Sequence, residues 1–270
     1  MIIIGEKINA TLTGIKSIVL KQDSAGLLDM AKIQAASGAD FIDVNVGTGV
    51  GSREDEIVAI KWAVKTIQGE IEIPLSIDSA DPCVLDAGLR MRDGRPSLIN
   101  STKAEEKNLA QIVPLAYRYQ TPIIGLAMDE TGVPRTVEDR LRACENIASA
   151  CEEYGVPIEN VYFDPLVLPV STDINQGLVT LYTIAEIKKR FPAAKIVMGL
   201  SNVSYGLPGR TCLNAAFLHM AIYAGLDAAI MDPLNQIMIN ALKAAEVLVG
   251  KDKHCRRYTR AFRSIRGRHG

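Results

Sequence analysis

Histidine and paired cysteines are scarce in this chain of 270 residues, which limits its metal and redox chemistry. There are three histidines, and none belongs to an HExxH motif. Zinc sites are built mainly from His and Cys, so no metal centre is predicted. The five cysteines form no CxxC pair, and their odd number does not suit a disulfide scaffold. This cysteine usage is typical of a reducing compartment, and we predict a cytoplasmic protein.

Long hydrophobic runs are also missing. No apolar run approaches the roughly 20 residues that a membrane-spanning helix needs. The apolar start, Met1–Ile4, gives way to Gly5 and then to charged residues, which is too short for the core of a signal peptide. The sequence therefore predicts neither a membrane-bound protein nor a secreted one.

Charge is nearly balanced overall, at −1, but it is unevenly distributed along the chain. Residues 251–270 contain eight Lys or Arg and one acid, Asp252, so this stretch carries +7 and the remainder carries −8. The stretch lacks the repeats and interleaved glycines of many nucleic-acid-binding tails, and no nucleic-acid partner is expected. We predict one domain over 1–250 and a basic C-terminal segment, 251–270, that is solvated or docks on a partner.

Short apolar runs alternate with longer amphipathic runs through the acidic part of the chain, which predicts alternating strands and helices. The predicted strands are Ile2–Ile4, Phe41–Val46, Ile73–Ile77, Ser97–Ile99, Ile123–Ala127, Val161–Phe163, Ile196–Leu200 and Ala228–Met231. The predicted helices are 24–38, 53–68, 81–92, 104–119, 136–154, 174–190, 211–224 and 235–249. Eight strands, each followed by a helix, is the count of a (β/α)8 TIM barrel. A doubly wound sheet is disfavoured because the first turn, Gly5–Thr11, has no GxGxxG.

Polar side chains stand at the predicted carboxyl ends of the strands, where a TIM barrel carries its chemistry. In chain order they are Glu6, Asn9, Asp43, Asn45, Asp78, Asn100, Asp129, Asp164, Ser201, Asn202 and Asp232. A carboxylate accepts hydrogen bonds from the N–H groups of an aminopyrimidine, and an amide can also donate to the adjacent carbonyl. The set therefore suits a flat heterocycle. The stretch Gly206–Arg210 also suits an anionic group near Arg210.

Helix capping is the alternative for each of these positions, because Asp and Asn at a strand–helix turn often cap the next helix. A binding site is excluded only if every one of these residues is a helix cap, so binding is favoured for the set as a whole. The residues that decide between the two are Asp78, Asn100, Asp164 and Asn202.

Six stretches at the strand ends form a recognisable set. They are Gly5-Glu6-Lys7-Ile8-Asn9-Ala10-Thr11, Asp43-Val44-Asn45, Ser76-Ile77-Asp78-Ser79, Ile99-Asn100-Ser101, Phe163-Asp164-Pro165 and Gly199-Leu200-Ser201-Asn202-Val203-Ser204. The set resembles the pterin-binding methyltransferases, which include the methyltetrahydrofolate:corrinoid protein methyltransferases and the folate domain of cobalamin-dependent methionine synthase. Dihydropteroate synthase is a more distant relative. The resemblance covers residues 1–250 and implies a dihydropteroate-synthase-like TIM barrel.

The resemblance also implies a pterin held deep in the barrel mouth. The implied pterin-binding residues are Asp78, Asn100, Asp164, Gly199, Ser201, Asn202 and Arg210. Among them, Asn202 matches the asparagine that reaches the N5 region of the pterin, and it is the predicted catalytic residue. Gly199 and Ser201 lie where the backbone can approach the ring. The second-tier candidates are Glu6, Asn9, Asp43 and Asn45.

The implied activity is methyl transfer between a methylcorrinoid protein and N5 of tetrahydrofolate, which forms or consumes 5-methyltetrahydrofolate. The chain has no Asp-x-His-x-x-Gly cobalamin motif, so the cobalamin is expected on a separate corrinoid protein. A homodimer is also expected from the resemblance. The alternatives are a dihydropteroate-synthase-like condensing enzyme and a non-catalytic pterin-binding subunit. The first is disfavoured because Asn9–Gly14 lacks the Asn-x-Thr-x-Asp-Ser-Phe loop of that enzyme.

Overall fold

The computed structural model of the chain describes residues 1–266. Eight parallel strands follow one another around a closed barrel, in which β8 pairs with β1. The strands are β1 (Ile2–Asn9), β2 (Phe41–Asn45), β3 (Leu75–Asp78), β4 (Ser97–Lys103), β5 (Ile123–Leu126), β6 (Val161–Asp164), β7 (Lys195–Gly199) and β8 (Ala228–Met231). The predicted TIM barrel is therefore confirmed.

Ten α-helices lie within residues 1–266. They are α1 (Thr13–Lys21), α2 (Ser24–Ala36), α3 (Arg53–Gln68), α4 (Pro82–Met91), α5 (Glu106–Tyr119), α6 (Val137–Glu153), α7 (Gln176–Arg190), α8 (Arg210–Ala224), α9 (Gln236–Leu248) and α10 (Arg256–Arg266). Helices α2 to α9 are the eight that the sequence predicts. The prediction misses α1 because its N-cap position is Leu12, which makes no side-chain cap hydrogen bond, and because Gly14 stands in its first turn.

Two strands are longer than predicted by four residues or more, and both extend at their carboxyl ends. Strand β1 continues from the predicted end at Ile4 to Asn9, and β4 continues from Ile99 to Lys103. Most of the extra residues are polar, namely Glu6, Lys7 and Asn9 in β1 and Asn100–Lys103 in β4, so the continuous apolar run used for prediction stops before the backbone pairing does. A register shift in the β1–β2 ladder, between Gly5 and Ile8, accompanies the extension of β1.

Two apolar layers hold the barrel together. A large cluster fills the space between the strands and the surrounding helices. A smaller cluster fills the barrel interior, and its fully or nearly fully buried members are Ile4, Leu98, Ile124, Tyr162, Val197 and Ala228. The interior is therefore packed below the mouth, as is usual for this architecture.

The basic C-terminal segment folds back on the barrel through α10. Arg257 forms ion pairs with Asp252 and with the buried Glu246 of α9, and Glu246 also pairs with the amino group of Met1. Because Met1 precedes β1, these contacts lie at the end of the barrel opposite the carboxyl ends of the strands. The last four residues of the segment, 267–270, lie outside the described residues. Within residues 1–266, no helix is both long enough and apolar enough to cross a membrane.

Candidate active site in the barrel mouth

In β1, β2, β4 and β6 the inward-facing positions change from apolar to polar as the strand approaches its carboxyl end. Alternate residues of a strand face the same side, so a polar residue two positions after an interior apolar one also faces inward. The pairs, apolar then polar, are Ile4 and Glu6 in β1, Phe41 and Asp43 in β2, Leu98 and Asn100 in β4, and Tyr162 and Asp164 in β6. The polar members lie in the open upper end of the barrel, which we call the mouth.

Strands β2, β3 and β4 build one wall of the mouth from two acids and two amides. The side-chain amide of Asn45 donates to Asp78 Oδ2 at 2.9 Å, and that of Asn100 donates to Asp43 Oδ1 at 3.1 Å. Asp43 and Asn100 are buried, whereas Asp78 and Asn45 are partly open to solvent. In this wall Asn45 therefore holds the Asp78 carboxylate, and Asp43 holds the Asn100 amide.

The two acids of this wall share a hydrogen bond. Burial raises the pKa of Asp43 well above its usual range, and the nearby Asp78 charge raises it further. Burial also raises the pKa of Asp78, but the hydrogen bonds from Asn45 and Asp43 oppose that increase. Asp43 is thus the group that keeps the proton, and Asp78 is the group that accepts hydrogen bonds.

Asp164 occupies another side of the mouth, at the end of β6. Its side chain is 7% exposed, and its Oδ1 atom accepts a hydrogen bond from the backbone N–H of Leu166 at 2.8 Å. Burial raises its pKa to about 6, while the N–H groups of Leu166 and Gly199 and the charge of Arg140 oppose the increase. At neutral pH, Asp164 is therefore an ionised acceptor in a largely dry position.

A third polar group lies where β8 meets β1. Lys7 Nζ lies 3.2 Å from Asp232 Oδ2, and the inward-facing Glu6 is close to both. Burial raises the pKa of Glu6 to about 7, Asp232 adds to the increase, and Lys7 and Arg210 oppose it. The sequence-based choice of site residues omits Lys7 and Asp232. Asp232 is among the polar strand-end residues of the sequence, and alternation along β8 supports it as a site residue, because it lies two residues after Ile230 of the barrel interior.

The loop after β7 lies beside the mouth and carries the remaining predicted residues. Asn202 lies in a 3₁₀ turn, Leu200–Ser204, and its side chain is exposed and makes no hydrogen bond within the described part of the chain. The Asn202 side chain lies beside Gly199, since a Cβ atom added to that glycine would be 4.0 Å from Asn202 Nδ2. Arg210, at the start of α8, donates to the Ser201 carbonyl at 2.7 Å and to Ser204 Oγ at 3.1 Å. Arg210 therefore braces the loop that presents Asn202.

Asn9 is a candidate whose side-chain oxygen is engaged twice within its own turn. Its Oδ1 atom accepts from the backbone N–H of Thr11 at 3.0 Å and from the Thr11 hydroxyl at 2.8 Å. These bonds shape the turn between β1 and α1. The other second-tier candidates, Glu6, Asp43 and Asn45, lie in the mouth itself.

None of the four residues that decide between binding and capping is a helix cap. The helices that follow them, α4, α5, α7 and α8, have Asp81, Glu105, Asn175 and Gly209 at their N-cap positions. The capping alternative is therefore wrong for Asp78, Asn100, Asp164 and Asn202. Within residues 1–266, no group of three or more His, Cys, Asp or Glu side chains is placed to hold a metal ion.

Solved structures with a similar fold are dihydropteroate synthases. The enzyme from Yersinia pestis, solved with a pterine–sulfa conjugate, aligns over 93% of both chains with a TM-score of 0.70 and 16% identity. The enzyme from Clostridium difficile, solved with pteroic acid, aligns over 92% of this chain and 96% of that one, with a TM-score of 0.72 and 18% identity. At these identities the likeness establishes the fold.

Sequence relatives are more informative than the structural ones. The chain is 34% identical over 266 residues to a methylcorrinoid:tetrahydrofolate methyltransferase from Eubacterium limosum, which covers 97% of this chain and 96% of that protein. It is 31% identical over 255 residues to methionine synthase from Mycobacterium tuberculosis, but spans only 21% of that longer protein. The family model for pterin binding enzymes matches residues 5–232. Since the match includes every strand end of the mouth, the chain belongs to the pterin binding enzyme family.

Proposed function

We propose that this protein is a methyltransferase that moves a methyl group between a methylcorrinoid protein and N5 of tetrahydrofolate. The observation that carries the proposal is the similarity, over nearly the full length of both chains, to a methylcorrinoid:tetrahydrofolate methyltransferase. The mouth supports it independently, because its acids and amides match the hydrogen-bonding edge of a pterin. We assign the activity to the barrel, residues 1–250, and not to the basic segment 251–270, whose contacts lie at the opposite end.

The aminopyrimidine part of the pterin has N–H groups and a carbonyl along one edge. Asp164, ionised at neutral pH, suits the N–H groups, and Asp78 is a second carboxylate acceptor. Asn100 donates one amide N–H to Asp43, which leaves its amide oxygen and its other N–H for a ligand. Keeping carboxyl groups buried and partly ionised costs stability, and such costs are common at functional sites. Asp78, Asn100 and Asp164 are therefore the proposed pterin anchors.

The transfer itself is a displacement at the methyl carbon. In one direction N5 attacks the methyl group, the carbon–cobalt bond breaks with its electron pair remaining on cobalt, and N5 loses its proton. In the other direction the carbon–N5 bond breaks, and the nitrogen needs a hydrogen-bond donor as it leaves. An amide both donates and accepts, so the unpaired Asn202 side chain suits N5 in either direction. Glu6, with a pKa of about 7, is able to exchange a proton near neutral pH.

Several large apolar side chains are exposed on the loops that surround the mouth. They are Leu12, Val50, Ile174, Tyr205 and Leu234, which follow β1, β2, β6, β7 and β8. Exposed apolar groups rimmed by polar ones are typical of protein contact sites. We therefore place the separate corrinoid protein over the mouth, and a cytoplasmic location suits both partners.

The test of the proposed function is an anaerobic assay with purified protein, methylcobalamin and tetrahydrofolate. The expected result is a cobalamin spectrum that changes to the reduced, demethylated form only when both tetrahydrofolate and active protein are present. A requirement for a pterin pyrophosphate and magnesium would instead support the condensing-enzyme alternative. Tetrahydrofolate binding without transfer, even with methylated corrinoid protein, would support the non-catalytic alternative. No binding at all would contradict the pterin assignment.

We also propose that the protein is a homodimer that pairs through α7 and α8. These adjacent helices expose large apolar side chains at helical spacing, Leu178 and Tyr182 on α7 and Met220 and Tyr223 on α8, and Tyr223 is 85% exposed. Light scattering coupled to gel filtration should give twice the chain mass. Tyr223→Glu should give a monomer, because it buries a charge in the contact. Tyr117→Glu on α5 is the matched control, and a monomeric wild type would contradict the proposal.

A further inference from the structure

Arg140 is an arginine whose charge is completely enclosed by the protein. It lies in the first turns of α6, its side chain is 0% exposed, and it is the largest of the fully buried side chains. No carboxylate of the described residues lies within ion-pair distance of its guanidinium group. Arginine is seldom buried without such a partner, so packing alone does not account for an arginine at this position.

Four hydrogen bonds tie the guanidinium group to two loops of the mouth and to α7. Arg140 Nε donates to the Pro134 carbonyl at 2.9 Å, in the loop before α6. Nη1 donates to the Leu166 carbonyl at 2.9 Å and to Thr180 Oγ1 at 3.1 Å, and Nη2 donates to Gln176 Oε1 at 2.8 Å. The partners on α7 are themselves buried. One side chain thus joins the β5–α6 loop, the β6–α7 loop and α7.

The bond to Leu166 leads directly to the proposed pterin anchor. Leu166 adopts a φ of 60°, a left-handed conformation that is unfavourable for a branched, non-glycine residue. In this conformation its N–H points back to Asp164 Oδ1 while its carbonyl is held by Arg140. The peptide groups of a single residue therefore connect the guanidinium group to the carboxylate.

We propose that Arg140 is a positioning residue for pterin binding, which holds the Asp164 carboxylate in place through Leu166 and supplies a fixed positive charge that acts on it. The inference rests on the proposed function, since it assumes that Asp164 anchors the pterin. It extends that function by naming a residue outside the mouth that determines how well the mouth binds.

The charge of Arg140 acts on Asp164 with little competition from other titratable groups. Arg140 lowers the pKa of Asp164 against the effect of burial. On α6, the other group that interacts with Asp164 is the Cys144 thiol, whose pKa is raised far above neutral by burial, so it stays uncharged. The backbone N–H of Gly199, at the end of β7, donates to the Asp164 carboxylate, and the N–H of Ala127, just after β5, donates to the Asp164 backbone carbonyl, so neither neighbour brings a charge to the site. Loss of the Arg140 charge should therefore raise the pKa of Asp164.

The experiment compares Arg140→Met and Arg140→Lys in the full chain. Tetrahydrofolate affinity is measured from pH 5 to pH 8, and kcat is measured at saturating tetrahydrofolate with methylcobalamin. Arg140→Met should bind about tenfold more weakly, as expected for loss of a charged hydrogen-bonding group, and the acid midpoint of binding should rise by roughly one pH unit. Arg140→Lys keeps the charge, so the midpoint should stay while affinity falls. In both variants kcat should change less than KM.

The control is Arg92→Met. Arg92 also donates to backbone carbonyls, those of Arg95 and Tyr119, but it lies between α4 and β4 at the opposite end of the barrel. Arg92→Met should lower the melting temperature without changing tetrahydrofolate affinity. If Arg140→Met melts like the control and keeps both affinity and midpoint, Arg140 is only structural and the inference is wrong.

Two further outcomes are informative. If Arg140→Met does not fold, Arg140→Lys decides alone, and unchanged affinity in that variant would overturn the inference. If the wild-type protein itself does not bind tetrahydrofolate, the proposed function fails and the inference falls with it. These two failures are distinguishable because the wild type is measured first.

Discussion

Asn202→Ala is expected to reduce methyl transfer by about 30-fold to 1000-fold while leaving tetrahydrofolate affinity nearly unchanged. The range corresponds to roughly 2–4 kcal/mol, which is the usual contribution of one positioned hydrogen-bond donor in a transition state. The side chain is exposed and makes no hydrogen bond within residues 1–266, so its removal should not disturb the fold. Its contact with N5 is expected to strengthen only as the methyl group moves. The measurement is kcat and KM for tetrahydrofolate in the methylcobalamin assay.

Two companion variants make this prediction specific. Asn202→Asp keeps the size and the acceptor but loses the donor, so it should be about as slow as Asn202→Ala when methyl leaves N5. Asn146→Ala removes an exposed asparagine of α6 that lies away from the mouth, and it should behave like the wild type. A normal kcat in Asn202→Ala would show that the loop after β7 only encloses the pterin.

The polar layer of the mouth is predictable from sequence because alternation along a strand is a local property. Once Tyr162 is known to fill the barrel interior, Asp164 must face the mouth, two residues further along β6. The same reasoning applies to Leu98 and Asn100 in β4. Residue type and position along the strand were therefore sufficient to identify these candidates.

Hydrogen bonds between side chains of different strands are not predictable in the same way. Asn100 is aligned with Asp78 on the adjacent strand, yet its amide donates to Asp43, which lies two strands away. The tilt and stagger of the barrel strands bring these side chains together, and no local pattern records that stagger. Arg140 is hidden from sequence for a related reason. It lies in a helix that is rich in charged residues, and only the folding of two loops over it removes it from solvent.

Asp164→Ala is expected to weaken tetrahydrofolate binding more than it lowers kcat. Asn202→Ala is expected to do the reverse. Asp164 is an ionised, largely buried acceptor, so its loss leaves the pterin N–H groups unpaired in a dry site. Losing a charged hydrogen bond in that setting costs roughly 2–3 kcal/mol, or about 30-fold to 150-fold in Kd. The Kd is measured by titration, and kcat is measured at saturating tetrahydrofolate. Equal losses in Kd and kcat for both variants would contradict separate roles for the two residues.

The pH dependence of binding tests the same residue without deleting it. Asp164 offers both of its oxygens as charged acceptors only when it is ionised, and its pKa is about 6, so affinity should be full above pH 7 and fall as the pH decreases through 6. Asp164→Asn should lose this step, whereas titration of the ligand itself would persist in both proteins. Glu6, with a pKa of about 7, also titrates near this range, and Glu6→Gln is the control that should keep the step at pH 6. If the step moves with Glu6→Gln and survives Asp164→Asn, Glu6 controls pterin binding and Asp164 does not.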